Sequence, residues 1–541
     1  DKMCDVGAVS NTDTFIKRGA YNTETATSWS WGALKNVNYF IDGCNDPKYC
    51  TVEAETRDNY LGIARWFRAW FYYDKLTTYG EVPWFPNDIQ SYQNDVMYKD
   101  RDSRDVIIRN LIADLDFAYE HIQATSSTGS ATLTRWAAAA LKSRVCLFEA
   151  AYRRYHNLTG LEITPEELYR EAAKAAKLVI DNSGCSLNTA AGKKGAYRDL
   201  FYSETPLTQE VILAVCANEK SGIFGEQNWW FNARSYGLCW SLVRSFVHTY
   251  LKQDGTPFTA AADYAVKSFA EEMEGRDLRL EQTVRGRNFL WDGKTAVADI
   301  KNLSLTGYQV IKYTLDESKY DGGAKNINSI PLIRYAEVLL NYAEAQAELG
   351  VITDSEWALT VGALRKRAGI TGGTETLPTT VDSYLQRTFY PDVTSPVLLE
   401  IRRERAIELV AEGMRFDDLR RWKCGSLMET LPWSGIHIPG LEQPVDVNGD
   451  GVNDYYFTEG EVASAPAAYK NIAVRVNQDG VGLYAEANPV SGYDLVYKTG
   501  AGDRYWYPDG RQYLYPIPAK VIRDYRNAGY TISQNPEWDN E

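Results

Sequence analysis

The sequence lacks any uninterrupted run of about 18 apolar residues, the length that a helix needs to span a bilayer. Its most apolar stretch, WAAAALKSRVCLFEAAY from Trp136, is interrupted by Lys142 and Arg144. From Asp1 onward there is also no basic and apolar leader, so we expect any targeting segment to have been removed. The absence of a leader is therefore no indication of a cytoplasmic protein.

Positive charge is in deficit. The 58 Lys and Arg residues are outnumbered by 72 Asp and Glu residues, which gives a net charge of -14 and a pI near 5.1. Nucleic-acid-binding proteins neutralise phosphates with Lys and Arg. The composition therefore argues against nucleic acid as a partner and favours a neutral or weakly charged ligand.

Motifs for metal binding and catalysis are missing as well. The eight cysteines include no CxxC pair, which argues against zinc, and Cys44 and Cys50 are predicted either to close a short disulfide or to remain thiols. No HExxH motif occurs, and Asn288 stands where a phosphate-binding loop ending in Gly293 would need glycine. We expect no enzymatic activity and no organic cofactor.

Two alternatives stay open. A pair of carboxylates is enough for glycoside hydrolysis, and 72 acidic residues supply many candidate pairs, so a secreted helical glycoside hydrolase is the first alternative. A protein-interaction scaffold that holds a partner with its helices is the second.

Helical periodicity dominates what is present. Apolar residues recur at helical spacing over 27–42, 55–79, 104–122, 135–152, 165–181, 332–349 and 357–368. Thr164 is predicted to cap the fifth of these helices, with Pro165 at its first position. The pattern predicts a mainly α fold with a few short strands.

We expect one domain over 1–541, because a helical scaffold with large insertions can form a single unit of this length. The helical scaffold covers about 27–182 and 330–422, and the spacing of its last two helices resembles a tetratricopeptide repeat. An irregular portion covers about 183–329, where Gly, Asn and Thr interrupt the periodicity, and its aromatic segments make it the expected ligand-binding portion. A loop-rich portion, about 423–541, completes the chain.

The segment from Glu400 to Trp422 is the most densely charged. Ile407, Val410, Ala411 and Met414 form one apolar stripe, which predicts an amphipathic helix with its charges in solvent and a break or kink at Gly413. Three ion pairs are predicted along this helix, joining Arg405 to Glu408, Glu412 to Arg415 and Asp417 to Arg421.

Aromatic residues within the irregular portion are the best candidates for ligand binding. A sugar presents an apolar face and a rim of hydroxyls, so its site needs aromatic platforms beside polar side chains. The segment QNWWFNARSYG supplies Trp229, Trp230, Phe231, Asn232 and Arg234.

Trp291, beside Asn288 and Asp292, is a second candidate platform. The alternative for each ring is that it packs its loop onto the scaffold. The rings on the helical stretch, at Trp66, Phe67, Trp70 and Phe71, are predicted to be core.

The stretch DVNGDGVND from Asp446 predicts a structural calcium loop. Side-chain oxygens recur at Asp446, Asn448, Asp450 and Asp454, and Val452 offers a backbone carbonyl. However, Phe457 stands where an EF-hand has its bidentate glutamate. The alternative is a solvent loop of Asx turns without an ion.

Five segments, in order along the chain, resemble the SusD-like (RagB/SusD) family. They are ARWFRAWFYYDKLTTYGEVPWF from Ala64, TRWAAAALKSRVCLFEA from Thr134, IPLIRYAEVLLNYAEAQAELG from Ile330, RRERAIELVAEGMRFDDLRRW from Arg402 and YLYPIPAKVIRDYRNAGYTISQNPEW from Tyr513. The resemblance extends from about Trp29 to Trp538, which is nearly the whole chain.

This resemblance implies a cell-surface lipoprotein of the outer membrane, whose lipid anchor is not visible in this chain. Such a protein captures glycans and delivers them to a SusC-like TonB-dependent transporter, on a scaffold of four tetratricopeptide-like helix pairs. In the family an early loop often contributes to the ligand site. Phe15, Arg18 and Tyr21 occupy that region of this chain and form a third set of candidates for glycan binding.

Overall fold

The computed structural model describes residues 3–126, 128–232 and 238–539. The α-helices are α1 Gly32–Asn45, α2 Ala54–Tyr79, α3 Asn94–Met97, α4 Arg104–His121, α5 Arg135–Tyr155, α6 Pro165–Asn182, α7 Asp199–Tyr202, α8 Gln227–Asn232, α9 Arg244–Val247, α10 Phe269–Met273, α11 Leu280–Thr283, α12 Tyr335–Glu348, α13 Asp354–Leu359, α14 Val361–Arg367, α15 Ser383–Phe389, α16 Pro396–Glu408, α17 Arg415–Arg421, α18 Leu427–Thr430 and α19 Ala519–Asn527.

The strands are short. They are β1 Gly7–Ala8, β2 Val211–Val215, β3 Ser241–Leu242, β4 Leu290–Trp291, β5 Lys294–Thr295, β6 Ile330–Arg334, β7 Ser434–Ile438, β8 Pro444–Val445, β9 Tyr455–Thr458, β10 Ala473–Arg475, β11 Leu483–Ala487 and β12 Tyr493–Tyr497. β1 pairs with β3, β2 with β6 and β4 with β5, and two three-stranded sheets have the orders β10-β9-β8 and β11-β12-β7. The predicted mainly α fold with a few short strands is confirmed.

The long helices stack side by side in chain order. α1 packs on α2, α2 on α4, α4 on α5, α5 on α6, α6 on α12 and α12 on α16. Small residues on α5, from Ala137 to Ala140, are buried and let its neighbours approach closely. This series of paired helices is the scaffold that the periodicity predicted.

Local sequence explains most helix boundaries. Thr164 Oγ1 accepts the N–H of Glu167 at 3.2 Å, and Glu167 Oε2 accepts the N–H of Thr164 at 2.8 Å, which forms a capping box at the start of α6. The predicted cap is therefore confirmed. α12 starts later than predicted because the apolar residues before Tyr335 form β6, which pairs with β2.

The segment from Glu400 to Trp422 differs most from its prediction. It forms two helices, α16 and α17, and the chain between them passes through positive φ at Ala411 (64°) and Gly413 (83°). Gly413 marks the break, as predicted. The prediction that its charges lie in solvent is wrong, because the following charged residues are buried: Glu400, Arg402, Arg403, Glu404, Arg405, Glu408, Arg415, Asp418, Arg420 and Arg421.

The ion pairs predicted along this segment are also wrong. The observed pairs join Arg405 to Asp418, Glu412 to Arg334 and Lys312, and Asp417 to Arg420. Distant residues replace the expected partner of Glu412, Arg405 reaches from α16 to α17, and Asp417 pairs within α17 but with Arg420 instead of Arg421.

Glu408 is the centre of this buried network and is fully enclosed. Its carboxylate accepts hydrogen bonds from Arg279 at 2.7 Å and Arg334 at 2.6 Å, and also from Arg367. Although burial opposes ionisation, these guanidinium groups hold the pKa of Glu408 well below its ordinary value of 4.5. Since Arg279 belongs to the irregular portion, the network fixes that portion to the scaffold.

One continuous hydrophobic core extends from Cys4 to Trp538. The first described residues belong to it, because Asp5 is buried and its carboxylate accepts two hydrogen bonds from Arg415, at 2.7 and 2.6 Å. Cys44 and Cys50 are free thiols. Burial raises the pKa of Cys44, and the neighbouring Cys50 adds to the increase. No helix in the described ranges combines the length and the apolarity that a membrane crossing requires.

Candidate functional site

A groove of about 830 Å³ lies where the irregular portion meets the scaffold. We call it the Trp230 groove. It is bounded by α2, α8, β6 and the loop between α16 and α17, and its aromatic lining consists of Trp70, Tyr73, Phe224, Trp230, Phe231 and Tyr313. Trp230 is 44% exposed and Phe224 is 36% exposed. Large rings are thus presented to solvent inside a concave surface.

Asn228 holds the short helix α8 in place. It is fully buried, its Nδ2 donates to the carbonyl of Leu315 at 2.8 Å, and its Oδ1 accepts the N–H of Leu315 at 2.7 Å. Oδ1 also accepts a hydrogen bond from Asn326 Nδ2 at 2.7 Å. Because this side chain is fully engaged, the direction in which α8 presents the following residues is fixed.

The predicted residues of this segment have different environments. Trp230 and Phe231 line the groove, and the ring of Phe231 stacks parallel to that of Tyr313 with centroids 6.5 Å apart. Trp229 is half-buried beside the groove, with its ring edge-on to Trp230 at 5.1 Å. Asn232 is held by Asp321 at 3.1 Å and by Gln309 at 3.2 Å. Arg234 lies outside the described residues.

Polar groups surround the rings. Glu412 is committed to Lys312 and Arg334, and Arg144 is committed to Glu337. In contrast, no hydrogen bond within the described ranges occupies the carboxyl groups of Asp74 and Glu226.

One further feature favours a polar ligand in the Trp230 groove. Burial raises the pKa of Asp74; Lys75 opposes that shift, and nearby Asp417 adds to it. Gln227 also lines the groove, but its Oε1 is enclosed beside Gly225 and is not offered to a ligand.

Trp291 is part of a separate hairpin, β4–β5. The guanidinium of Arg285 lies 5.2 Å from its ring centroid, and the ring is half-buried. The hairpin is anchored by Asp292, whose Oδ1 accepts the N–H of Ser318 at 2.9 Å. Trp291 therefore does not share the Trp230 groove.

The early segment packs its rings inward. Phe15 is only 2% exposed and stacks on Tyr515 with centroids 3.9 Å apart. Tyr21 meets the same two rings edge-on, and burial raises its pKa to about 12. Arg18 is exposed, with its guanidinium 3.8 Å from the ring centroid of Tyr505. In this conformation the Phe15 ring packs the segment onto the core and offers no open face to a sugar.

The predicted calcium loop is a series of Asx turns. Asp446 accepts the N–H groups of Gly449 and Gly451, each at 2.8 Å, and Asp450 accepts the N–H of Val452 at 2.8 Å. Asn448 Oδ1 accepts the N–H of Asp450 at 3.2 Å.

Asp454 completes the loop by accepting the N–H of Val447 at 2.8 Å. Burial raises the pKa of Asp454, and the charges of Asp450 and Asp446 add to the increase. These all-oxygen groups suit a hard cation. Within the described ranges, however, no set of three or more His, Cys, Asp or Glu side chains is gathered to hold a metal ion.

Three of the four rings on α2 that were predicted to be core are not fully buried. Trp66 is buried as predicted, but Phe67 is 51% exposed, Trp70 lines the groove, and Phe71 is half-buried beside Trp31. The signal available in the sequence was the i, i+4 spacing of Trp70 and Asp74, which places a ring and a carboxylate on one helix face.

Comparison with known proteins identifies the family. A model of the SusD family matches residues 209–538, more than half of the chain. The chain belongs to the SusD family. No curated protein matches it.

Solved structures of SusD-like proteins share its fold. One from Bacteroides fragilis NCTC 9343 is 20% identical, with a TM-score of 0.65 over 99% of this chain and 92% of that chain. A SusD-like carbohydrate-binding protein of the same strain is 18% identical, with a TM-score of 0.68 over 96% and 90%. A SusD superfamily protein from Parabacteroides distasonis ATCC 8503 is 18% identical, with a TM-score of 0.57 over 99% and 92%.

Proposed function

We propose that this SusD-family protein binds a glycan in the Trp230 groove and delivers it to a SusC-like TonB-dependent transporter at the outer membrane. The observation that carries the proposal is the partly exposed Trp230 in a groove that also contains Trp70 and unoccupied carboxyl groups. Aromatic faces bind the C–H face of a sugar, and carboxylates accept hydrogen bonds from its hydroxyls.

Family membership supports the rest of the proposal. A protein with the same fold is described as carbohydrate-binding, and surface capture followed by import is the role that the SusD resemblance implies. Attachment to the outer membrane through a lipid is part of the same proposal. Co-purification of the tagged protein with a TonB-dependent transporter from its native membranes tests the partner, and absence of a complex in mild detergent would count against it.

Replacing the exposed ring tests the groove. A glycan-array screen followed by calorimetry with the best oligosaccharide supplies the affinity of the wild-type protein. Trp230→Ala should weaken that affinity by about 1 to 3 kcal/mol, or roughly 5- to 150-fold. Phe67→Ala is the matched control, because Phe67 is an exposed ring on α2 outside the lining of the groove. Equal affinities for the wild-type protein and Trp230→Ala would remove this groove from consideration.

A specific observation keeps the hydrolase alternative testable. Asp74 and Asp417 both line the Trp230 groove, and Asp417 is among the groups that raise the pKa of Asp74. Two neighbouring carboxyl groups are the minimum for cleaving a glycosidic bond. We expect no release of reducing sugar during prolonged incubation with the bound oligosaccharide. Release that disappears in both Asp74→Asn and Asp417→Asn would establish the hydrolase instead.

A further inference from the structure

A second and larger concave surface lies beside the first helix. It has a volume of about 1090 Å³ and is enclosed by the segment before α1, the loop leading to α3, and α19. We call it the α19 cleft. Its apolar lining includes Trp29, Trp31, Phe85, Ile89, Tyr98 and Val521. Pockets of about 300 to 1000 Å³ hold drug-sized ligands, so this cleft has room for several sugar units.

The α19 cleft and the Trp230 groove lie on neighbouring faces of α2. Trp70 lines the groove, whereas the next residue, Phe71, packs against Trp31 of the cleft with ring centroids 5.6 Å apart. The body of the helix therefore stands between the two surfaces. A ligand in one does not contact the lining of the other.

The rings of the α19 cleft are held in place by neighbouring rings. Trp29 packs edge-on against the buried Tyr79 at 4.9 Å, and Trp31 packs edge-on against Phe85 at 5.3 Å. Tyr98 packs against Tyr525 at 5.1 Å. Trp29, Trp31 and Tyr98 nevertheless remain half-buried rather than enclosed. A ligand that stacks on them meets preformed surfaces and does not have to order loose side chains.

The rim of the α19 cleft carries charges that cancel in pairs. The ion pairs are Glu24 with Arg523 at 2.6 Å, Lys35 with Asp88 at 2.8 Å, and Lys520 with Asp524 at 2.6 Å. The paired rim offers both donors and acceptors of hydrogen bonds but no net charge of either sign. It suits a ligand that is polar and uncharged.

We propose that the α19 cleft is a second site for a neutral oligosaccharide, independent of the Trp230 groove. Sugar rings can stack on the tryptophans while their hydroxyls replace water on the charged rim. An apolar peptide is the competing occupant, but it would cover the rim without satisfying it, and burying polar groups unpaired is costly. Two sites on one chain also predict that a polysaccharide long enough to reach both binds more tightly than a short oligosaccharide.

Titration calorimetry with defined probes tests the proposal. Maltohexaose, cellohexaose, xylohexaose and mannohexaose are the probes, and the stoichiometry for the one that binds is measured. The wild-type protein should bind two equivalents. Ala528→Trp fills the mouth of the α19 cleft without removing a core side chain, because Ala528 lines the cleft and is exposed. This variant should bind one equivalent.

Matched variants separate the two sites. Arg526→Trp places the same ring on exposed α19 surface outside the lining and should keep both equivalents. Trp230→Ala should weaken sugar binding only at the Trp230 groove. If that groove binds no sugar, the effect of Ala528→Trp on binding at the α19 cleft can still be measured.

Three outcomes would overturn the second site. The first is that Ala528→Trp leaves stoichiometry and affinity unchanged. The second is that none of the four sugars binds at millimolar concentration. The third is that a leucine-rich peptide, but no sugar, binds the wild-type protein and fails to bind Ala528→Trp.

Discussion

Removing the carboxylate of Glu408 should cost far more stability than removing an exposed carboxylate. Glu408 accepts hydrogen bonds from Arg279, Arg334 and Arg367 in a fully buried site, so Glu408→Ala leaves three buried guanidinium groups each without one of its carboxylate partners. Breaking a buried pair in this way costs about 3 to 5 kcal/mol. Glu408→Gln preserves the shape but not the charge and should lose most of the same free energy.

The size of the chain sets the shift in melting temperature. With an unfolding entropy of about 2.1 cal/mol/K per residue, a loss of this size lowers the melting temperature of 541 residues by only about 3 to 4 °C. Urea denaturation followed by tryptophan fluorescence is therefore the better assay for the free energy of unfolding.

Glu162→Ala is the matched control, because the Arg109 and Glu162 pair is exposed on both sides. Its loss should be about 0 to 1 kcal/mol. Acid adds an independent check. The low pKa of Glu408 in the folded state stabilises the protein fully above the ordinary value of 4.5 and progressively less as pH falls below it. Equal losses for Glu408→Ala and Glu162→Ala would refute the reasoning.

Three further predictions concern backbone, charge and metal. Gly80→Ala should destabilise the protein by about 1 to 3 kcal/mol more than Gly160→Ala in urea denaturation, because both glycines have positive φ but only at Gly80 would a Cβ meet Arg104, at 2.7 Å. Although burial opposes ionisation, Arg244 and His248 lower the pKa of Glu272 to about 2. The free energy of unfolding should therefore decline between pH 4.5 and 2, and less steeply in Glu272→Gln than in the wild-type protein. Identical acid profiles of the two proteins would contradict this. If the loop at Asp446 binds calcium, a chelator should lower the melting temperature of the wild-type protein but not of Asp454→Asn, and a calcium-free protein by mass analysis would end the proposal.

Local chemistry explains why the scaffold was predictable. Thr164, which caps α6, acts on its own neighbours in the chain, and the structure places it as expected. Periodicity along α2 and α5 likewise depends only on which residues follow one another. These features are determined by residues within one or two helical turns of each other.

The charges of α16 were mispredicted for the opposite reason. Whether Glu408 meets water or guanidinium depends on Arg279 and Arg334, which lie more than seventy positions earlier in the chain. No spacing within the helix encodes that meeting. Trp70 was misassigned in the same way, because the wall opposite it is formed by residues around Trp230.

The Glu408 network has a consequence for how the chain reaches its final arrangement. Hydrophobic contacts tolerate small displacements of a loop. A carboxylate surrounded by guanidinium groups, in contrast, accepts only one position of the loops that carry those groups. A loop displaced by one residue would leave a buried charge without its partner, at a cost of several kcal/mol. The buried charges thus select a single registration between loops and helices and reject near misses during folding.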